Sequence, residues 1–307
     1  MAYGQGTQMI KDSHNTTPEN DQCKRVEGLL ESTLKDTGIP SRPAILDRVH
    51  IEMGKDEPDL NLLARIISAD VALSGGLISI ANSPYFGFHG RVRSVNEALM
   101  VLGLDVACRA IAGLILRKLF PVSLAMERFW DASASIARLS GWLAQHSDIG
   151  IKVQASDAYT FGLFRDSGIA VLLTRFPYYH DVLYQANEEK TLGFTQVEEI
   201  QCPTNHAVIG GLLAQSWWLP ESISTAIRVH HDYSILGKND STLLPDETRG
   251  MIAISQFAEN IFQHHTGLSK SQEWSKSSEV CMQLLEINQE QLEGFYEEGA
   301  PVLAKYD

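Results

Sequence analysis

The stretch Asp157–Leu173, DAYTFGLFRDSGIAVLL, decides how the chain is read. It opens as an amphipathic helix, and its spacing predicts breaks at Gly162 and Gly168 before an apolar run resumes. Arg165 and Asp166 lie between those glycines. Glycine allows close backbone approach and unusual dihedrals, so the Arg-Asp pair is expected at a bend rather than on a free surface. Downstream come His206 and the doublet His230-His231, followed by Asp232. The chemical question is whether these groups meet as a metal site or are what remains of one.

Working outward, the periodicity is helical on both sides. Asp59 and Asp70 are placed to cap helices carrying Leu60, Leu63, Ile66 and Ile67, then VALSGGLISIA. In the second of these, Gly75-Gly76 would let a neighbouring helix come close. Ser94 and Glu97 read as a capping box, Gly103 closes that helix, and Asp105 opens another to about Leu119. Beyond it, Phe129–Gln145 carries an apolar stripe, Thr195–Trp217 reads as one long helix, and Pro220 stands at the start of the next. Glu247–His264, Ser277–Leu285 and Gln289–Lys305 follow. No alternating strand pattern appears, so the fold class is all-α. The expected divisions are a flexible tail over residues 1–22, an N-terminal helical subdomain over 23–121 beginning with a short helix Cys23–Asp36, and a second helical subdomain with added C-terminal helices over 122–307.

Composition excludes several classes. The chain has 307 residues, is 44% hydrophobic and 21% charged, and carries a net charge of −13, which argues against a basic nucleic-acid footprint. No run approaches the ~18 apolar residues of a membrane span. The N-terminus has no apolar signal region, and the four cysteines lie far apart without a CxxC pair, so a cytoplasmic protein with reduced thiols is expected. Tyr85, Phe86 and Phe88, in the loop Asn82–Ser94 beside Arg91 and Arg93, form a candidate interaction patch, although such aromatics more often pack a loop onto a neighbouring helix.

Adjacent residues on a helix diverge by about 100°, which places His230 and His231 poorly for chelating one ion together. They could instead serve separate ions, with Asp166 and His206 supplied by neighbouring helices. The plainer alternative turns one histidine to solvent and sets the other at a helix C-terminus, where a cation is favoured.

Four stretches together resemble the HDOD family, the HD-related output domains of bacterial signalling proteins: LLARIISADVALSGGLISIANSPYFG (62–87), VRSVNEALMVLGLDVACRAIAGLIL (92–116), GLFRDSGIAVLL (162–173) and NHAVIGGLLAQSWWLPESISTAIRVHHD (205–232). The resemblance implies an HD-domain or phosphodiesterase-like helical bundle with an N-terminal helical subdomain. It also implies a regulatory role without catalysis, although the HD and HD-GYP relatives are metal-dependent phosphohydrolases. Carried onto this sequence, their site pattern keeps Asp166, His206, His230 and His231. It departs where a first histidine becomes Ala132, where the histidine of the His-Asp doublet becomes Arg165, and where a lysine becomes Ile169. A final aspartate is missing near Ser255 or Gln256, with Glu259 one turn later. Arg165 puts a fixed charge where a cation would sit, and two unit charges ~4 Å apart repel by roughly 4 kcal/mol at an effective dielectric near 20.

The expectation is therefore a non-enzymatic signal-transduction module that binds other signalling proteins, by resemblance kinases or cyclic-dinucleotide enzymes. No cofactor is expected beyond one weakly held ion at Asp166, His206, His230 and His231. The runner-up is a metal-dependent phosphohydrolase of nucleotides or cyclic dinucleotides, and a sensor using the former metal cavity for a small ligand is a third class.

Overall fold

The computed structural model describes residues 38–83, 91–237 and 244–304. Among these residues every regular element is helical, as the periodicity requires. The expected tail 1–22, the helix Cys23–Asp36 and the aromatic trio Tyr85, Phe86 and Phe88 lie outside them.

The N-terminal half consists of α1 (Ala44–Met53), α2 (Leu60–Ser68), α3 (Val71–Ala81), α4 (Val95–Leu102) and α5 (Leu104–Leu119). Asp59 and Asp70 accept the orphan N–H groups of α2 and α3 as expected. Ser94 Oγ accepts from Glu97 N, but Glu97 Oε2 accepts from Arg93 N, so the reciprocal half of the box shifts one residue upstream. Gly103, at φ 74°, ends α4 and starts α5 without a spacer. Gly76 receives the Leu114 side chain of α5, which is the close approach expected of the glycine pair, while Gly75 faces open space.

The second half consists of α6 (Leu124–Gln145), α7 (Ala155–Phe164), α8 (Ser167–Arg175), α9 (Tyr179–Glu188), α10 (Phe194–Gln201), α11 (His206–Ser216), α12 (Glu221–Val229), a 3-10 turn Tyr233–Leu236, α13 (Asp246–Thr266), α14 (Glu273–Leu285) and α15 (Gln289–Leu303). The long central α6 lies against α7 and α13, and α11 packs on α8 and α12. One apolar cluster runs from Leu46 through Ile111, Leu139 and Ile227 to Phe295, so the two halves share a core. No single helix among the described residues is long and apolar enough to cross a membrane.

Three helix boundaries differ from the sequence reading. The expected helix Thr195–Trp217 is split into α10 and α11, because Pro203 lacks an N–H and the Asn205 side chain caps α11 through Val208 N at 2.8 Å. Helix α6 begins at Leu124, five residues before Phe129, under a Ser123 cap to Met126 N. Helix α14 starts at Glu273, four residues before Ser277.

Candidate functional site

The bend in Asp157–Leu173 falls at Arg165-Asp166 and not at the glycines. Helix α7 runs through Gly162 to Phe164, and Gly168 lies within α8. The glycines serve as contact points between helices. A Cβ on Gly162 would lie 2.9 Å from Ser140 Oγ and 3.0 Å from Ala137 Cα. One on Gly168 would lie 2.0 Å from His206 O and 2.8 Å from Gly210 N. Helices α8 and α11 thus touch backbone to backbone, which brings Asp166 beside His206.

The histidine doublet also departs from the expectation of divergence. Helix α12 stops at Val229, and His230 is its C-cap, with Nδ1 on Ile227 O at 2.7 Å. The hundred-degree rule needs a continuing helix; here the chain turns, and the two rings meet with centroids 4.1 Å apart. Neither side chain faces solvent, at 2% and 6% exposure. The helix-end part of the plainer alternative holds for His230, and its solvent part fails for His231.

The structure brings Asp166, His206, His230 and His231 together, with one donor atom from each inside a 4.8 Å span. His206 Nε2 is 3.4 Å from His230 Nε2 and 3.1 Å from His231 Nε2. Asp166 Oδ1 is 3.6 Å from His206 Nε2 and 3.4 Å from His230 Nε2. A regular tetrahedron with metal–nitrogen bonds of about 2.0–2.1 Å separates its donors by roughly 3.3–3.4 Å. The four separations just given lie near that value, whereas the 4.8 Å span of the whole set exceeds it.

The far nitrogen of each ring is held by an acceptor. His206 Nδ1 meets Glu198 Oε2 at 2.8 Å, His230 Nδ1 meets the Ile227 carbonyl, and His231 Nδ1 meets Glu273 Oε2 at 2.6 Å. A proton assigned to each Nδ1 by these partners leaves three Nε2 lone pairs facing inward. Carboxylate–imidazole pairs of this kind orient histidine ligands toward a metal. Sequence reasoning missed Glu198 and Glu273, which no local motif ties to the histidines. The available signal was a glutamate on the inward face of each helix.

Arg165 forms the other half of the site. It is 3% exposed. Its Nε donates to Asp166 Oδ2 at 3.0 Å, Nη2 to Glu259 Oε2 at 2.5 Å, and Nη1 to Ser255 O and Oγ at 3.3 and 3.2 Å. Burial would raise the Asp166 pKa, but the guanidinium and the His230 contact hold it well below the usual carboxylate range. Burial beside His231 holds His230 down to about 3. His206 is raised: its burial cost is outweighed by the Glu198 carboxylate. The donors therefore fit one ion. Asp166 cannot bridge a second, because Arg165 already holds its other oxygen.

Ala132 and Ile169 line a cavity of about 250 Å³ over this site, with Phe129, Ile136, Leu183 and Phe194 on its apolar wall and Arg165, Asp166, His231, Glu259 and Glu273 on its polar floor.

A family model for the HDOD domain matches residues 39–233. The structure is similar to that of an HDOD domain protein of unknown function from Geobacter sulfurreducens, with a TM-score of 0.60 and 21% identity over 92% of this chain and 98% of that one. It is also similar to a Shewanella amazonensis protein described provisionally as a phosphohydrolase, with a TM-score of 0.62 and 18% identity over 89% and 93% of the two chains. An uncharacterised protein of Treponema pallidum (strain Nichols) is 27% identical over 228 residues, which span 72% of this chain and 43% of that protein. The structural likenesses show the fold. With the family match over the segment that holds Asp166 and all three cage histidines, they establish that this chain belongs to the HDOD family.

Proposed function

We propose that the chain is a non-catalytic signal-transduction module that works in the cytoplasm by binding other signalling proteins, kinases or cyclic-dinucleotide enzymes being the partners implied by the family. The observation that carries the non-catalytic part is the buried Arg165, tied to Asp166, Ser255 and Glu259. Two-metal hydrolysis needs a second ion to clamp the phosphoryl group, and a fixed guanidinium stands between the carboxylates that would hold one. Ala132 and Ile169 offer it no donor either.

A second reading, a small-ligand sensor, is favoured by the cavity of about 250 Å³, in which an apolar wall faces a charged floor.

The test is turnover of nucleotides and cyclic dinucleotides by the purified chain with added Mn²⁺, Fe²⁺ or Ni²⁺. Background rates are expected throughout. Turnover that is lost in His230→Ala would overturn the non-catalytic reading and favour a phosphohydrolase.

A further inference from the structure

We infer that the cavity over Arg165 takes up a small organic monocation, a primary ammonium ion on an apolar body about the size of one ring. The inference deepens the small-ligand sensor reading above and rests on it: it names the class of ligand that the cavity selects.

Size makes the first argument. An apolar cavity of about 150 Å³ takes up benzene. The cavity here holds about 250 Å³, enough for one ring and a short chain that ends in a head group. Phe129 and Ile136 of α6, Ile169 and Leu173 of α8, Leu183 of α9 and Phe194 of α10 form its apolar wall. Ala125, His180 and Ser269 line it as well and are exposed to solvent, which gives the cavity a mouth.

Charge makes the second. Three carboxylates, Asp166, Glu259 and Glu273, line the cavity against one guanidinium, Arg165. Lys276 meets Glu273 Oε1 at 2.8 Å from outside the lining. With the imidazoles of His180 and His231 neutral, one negative charge is left over. Behind the floor, Glu198 and His206 form a pair of their own that adds no net positive charge. An unpaired charge is costly where the dielectric is low, and a monocation in the cavity balances it.

Access makes the third, and it decides the sign. Arg165 spends Nε on Asp166, Nη2 on Glu259 and Nη1 on Ser255, and its side chain is 4% exposed. An anionic head group therefore finds the guanidinium covered. Glu273 is closed too, at 2% exposure with His231, Tyr233 and Lys276 as donors. Asp166 at 19% and Glu259 at 13% are the charged groups of the floor that stay open. An ammonium head offers three donors and no acceptor, which suits two open carboxylates. Phe129 and Phe194 line the same space, and aromatic faces attract cations.

The test uses the full chain, stripped with a chelator, and three probes of one shape compared by calorimetry at pH 8. They are 2-phenylethylamine, which is protonated there, 2-phenylethanol and 3-phenylpropionate. One equivalent of the amine should bind at least about tenfold tighter than either analogue, the worth of a hydrogen bond to a charged group. Glu259→Gln should reduce that margin. Ala132→Leu, which fills the cavity from α6, should abolish amine uptake, and Ile169→Phe fills it from α8 where the first variant fails to fold. A margin below tenfold in the wild type, or one that Glu259→Gln leaves unchanged, would overturn the inference and leave the sensor reading standing. Amine uptake that survives a filled cavity would place the amine elsewhere and overturn the inference as well. Binding of none of the three probes would overturn the inference together with the sensor reading.

Discussion

Arg165→Met keeps much of the side chain's volume and removes its charge. Four hydrogen bonds go with the guanidinium, and Asp166 and Glu259 are left facing each other without a cation. Arg165 is 4% exposed, and its partners are 19% and 13% exposed, so solvent relieves little of the loss. Removing one partner of a buried ion pair costs about 3–5 kcal/mol, against less than about 1 kcal/mol for an exposed pair. At roughly 2–4 °C per kcal/mol for domains of 150–250 residues, the melting temperature should fall by at least about 6 °C. The assay is thermal or urea unfolding of chelator-stripped protein, so that no ion substitutes for the lost charge. Glu259→Gln in the same background should recover part of the loss, because it removes one of the stranded carboxylates; the pair is expected to couple by about 0.5–3 kcal/mol. A loss below about 1 kcal/mol for Arg165→Met would refute the claim that this arginine holds the carboxylates of the site.

Gly168→Ala should destabilise far more than Gly76→Ala. The added methyl would meet the His206 carbonyl and Gly210 N, which are backbone, in the first case and the movable end of Leu114 in the second. More than about 3 kcal/mol is expected for Gly168→Ala, and equal unfolding midpoints for the two variants would count against the close α8–α11 contact. Burial pushes the Cys108 thiol up to about 11 and the Cys281 thiol up to about 12. Both should resist alkylation at pH 8 in the native protein and react on unfolding; native labelling at the rate of a free thiol would show that they are not buried.

The helices and their caps were legible because their causes are local. Asp59 and Asp70 sit one residue before an apolar stripe, and that is enough to place α2 and α3. The α10–α11 break was missed although Pro203 marks it, since the apolar period runs on to either side. The site was legible in its identities and not in its geometry. Asp166, His206, His230 and His231 were all singled out, but their convergence depends on where α12 stops, a difference of one residue that periodicity does not resolve. Gly162 and Gly168 were noticed for the right property and given the wrong use, because the backbone that touches each one is distant in sequence. Glu198 and Glu273 lie 8 and 42 residues from the histidines they orient, and only the fold introduces them.

The segment that resembles other HDOD proteins ends at residue 233, yet the electrostatics of the site do not. Arg165 and His231 stand inside that segment, and the carboxylates that answer them, Glu259 and Glu273, belong to α13 and α14 beyond it. A chain cut at the edge of the resemblance would leave Arg165 only Asp166 as a carboxylate partner and would take from His231 the acceptor of its Nδ1. The C-terminal helices are therefore not an appendage to a finished domain: the segment that divergent sequences share is smaller than the unit that completes the hydrogen bonds of the site.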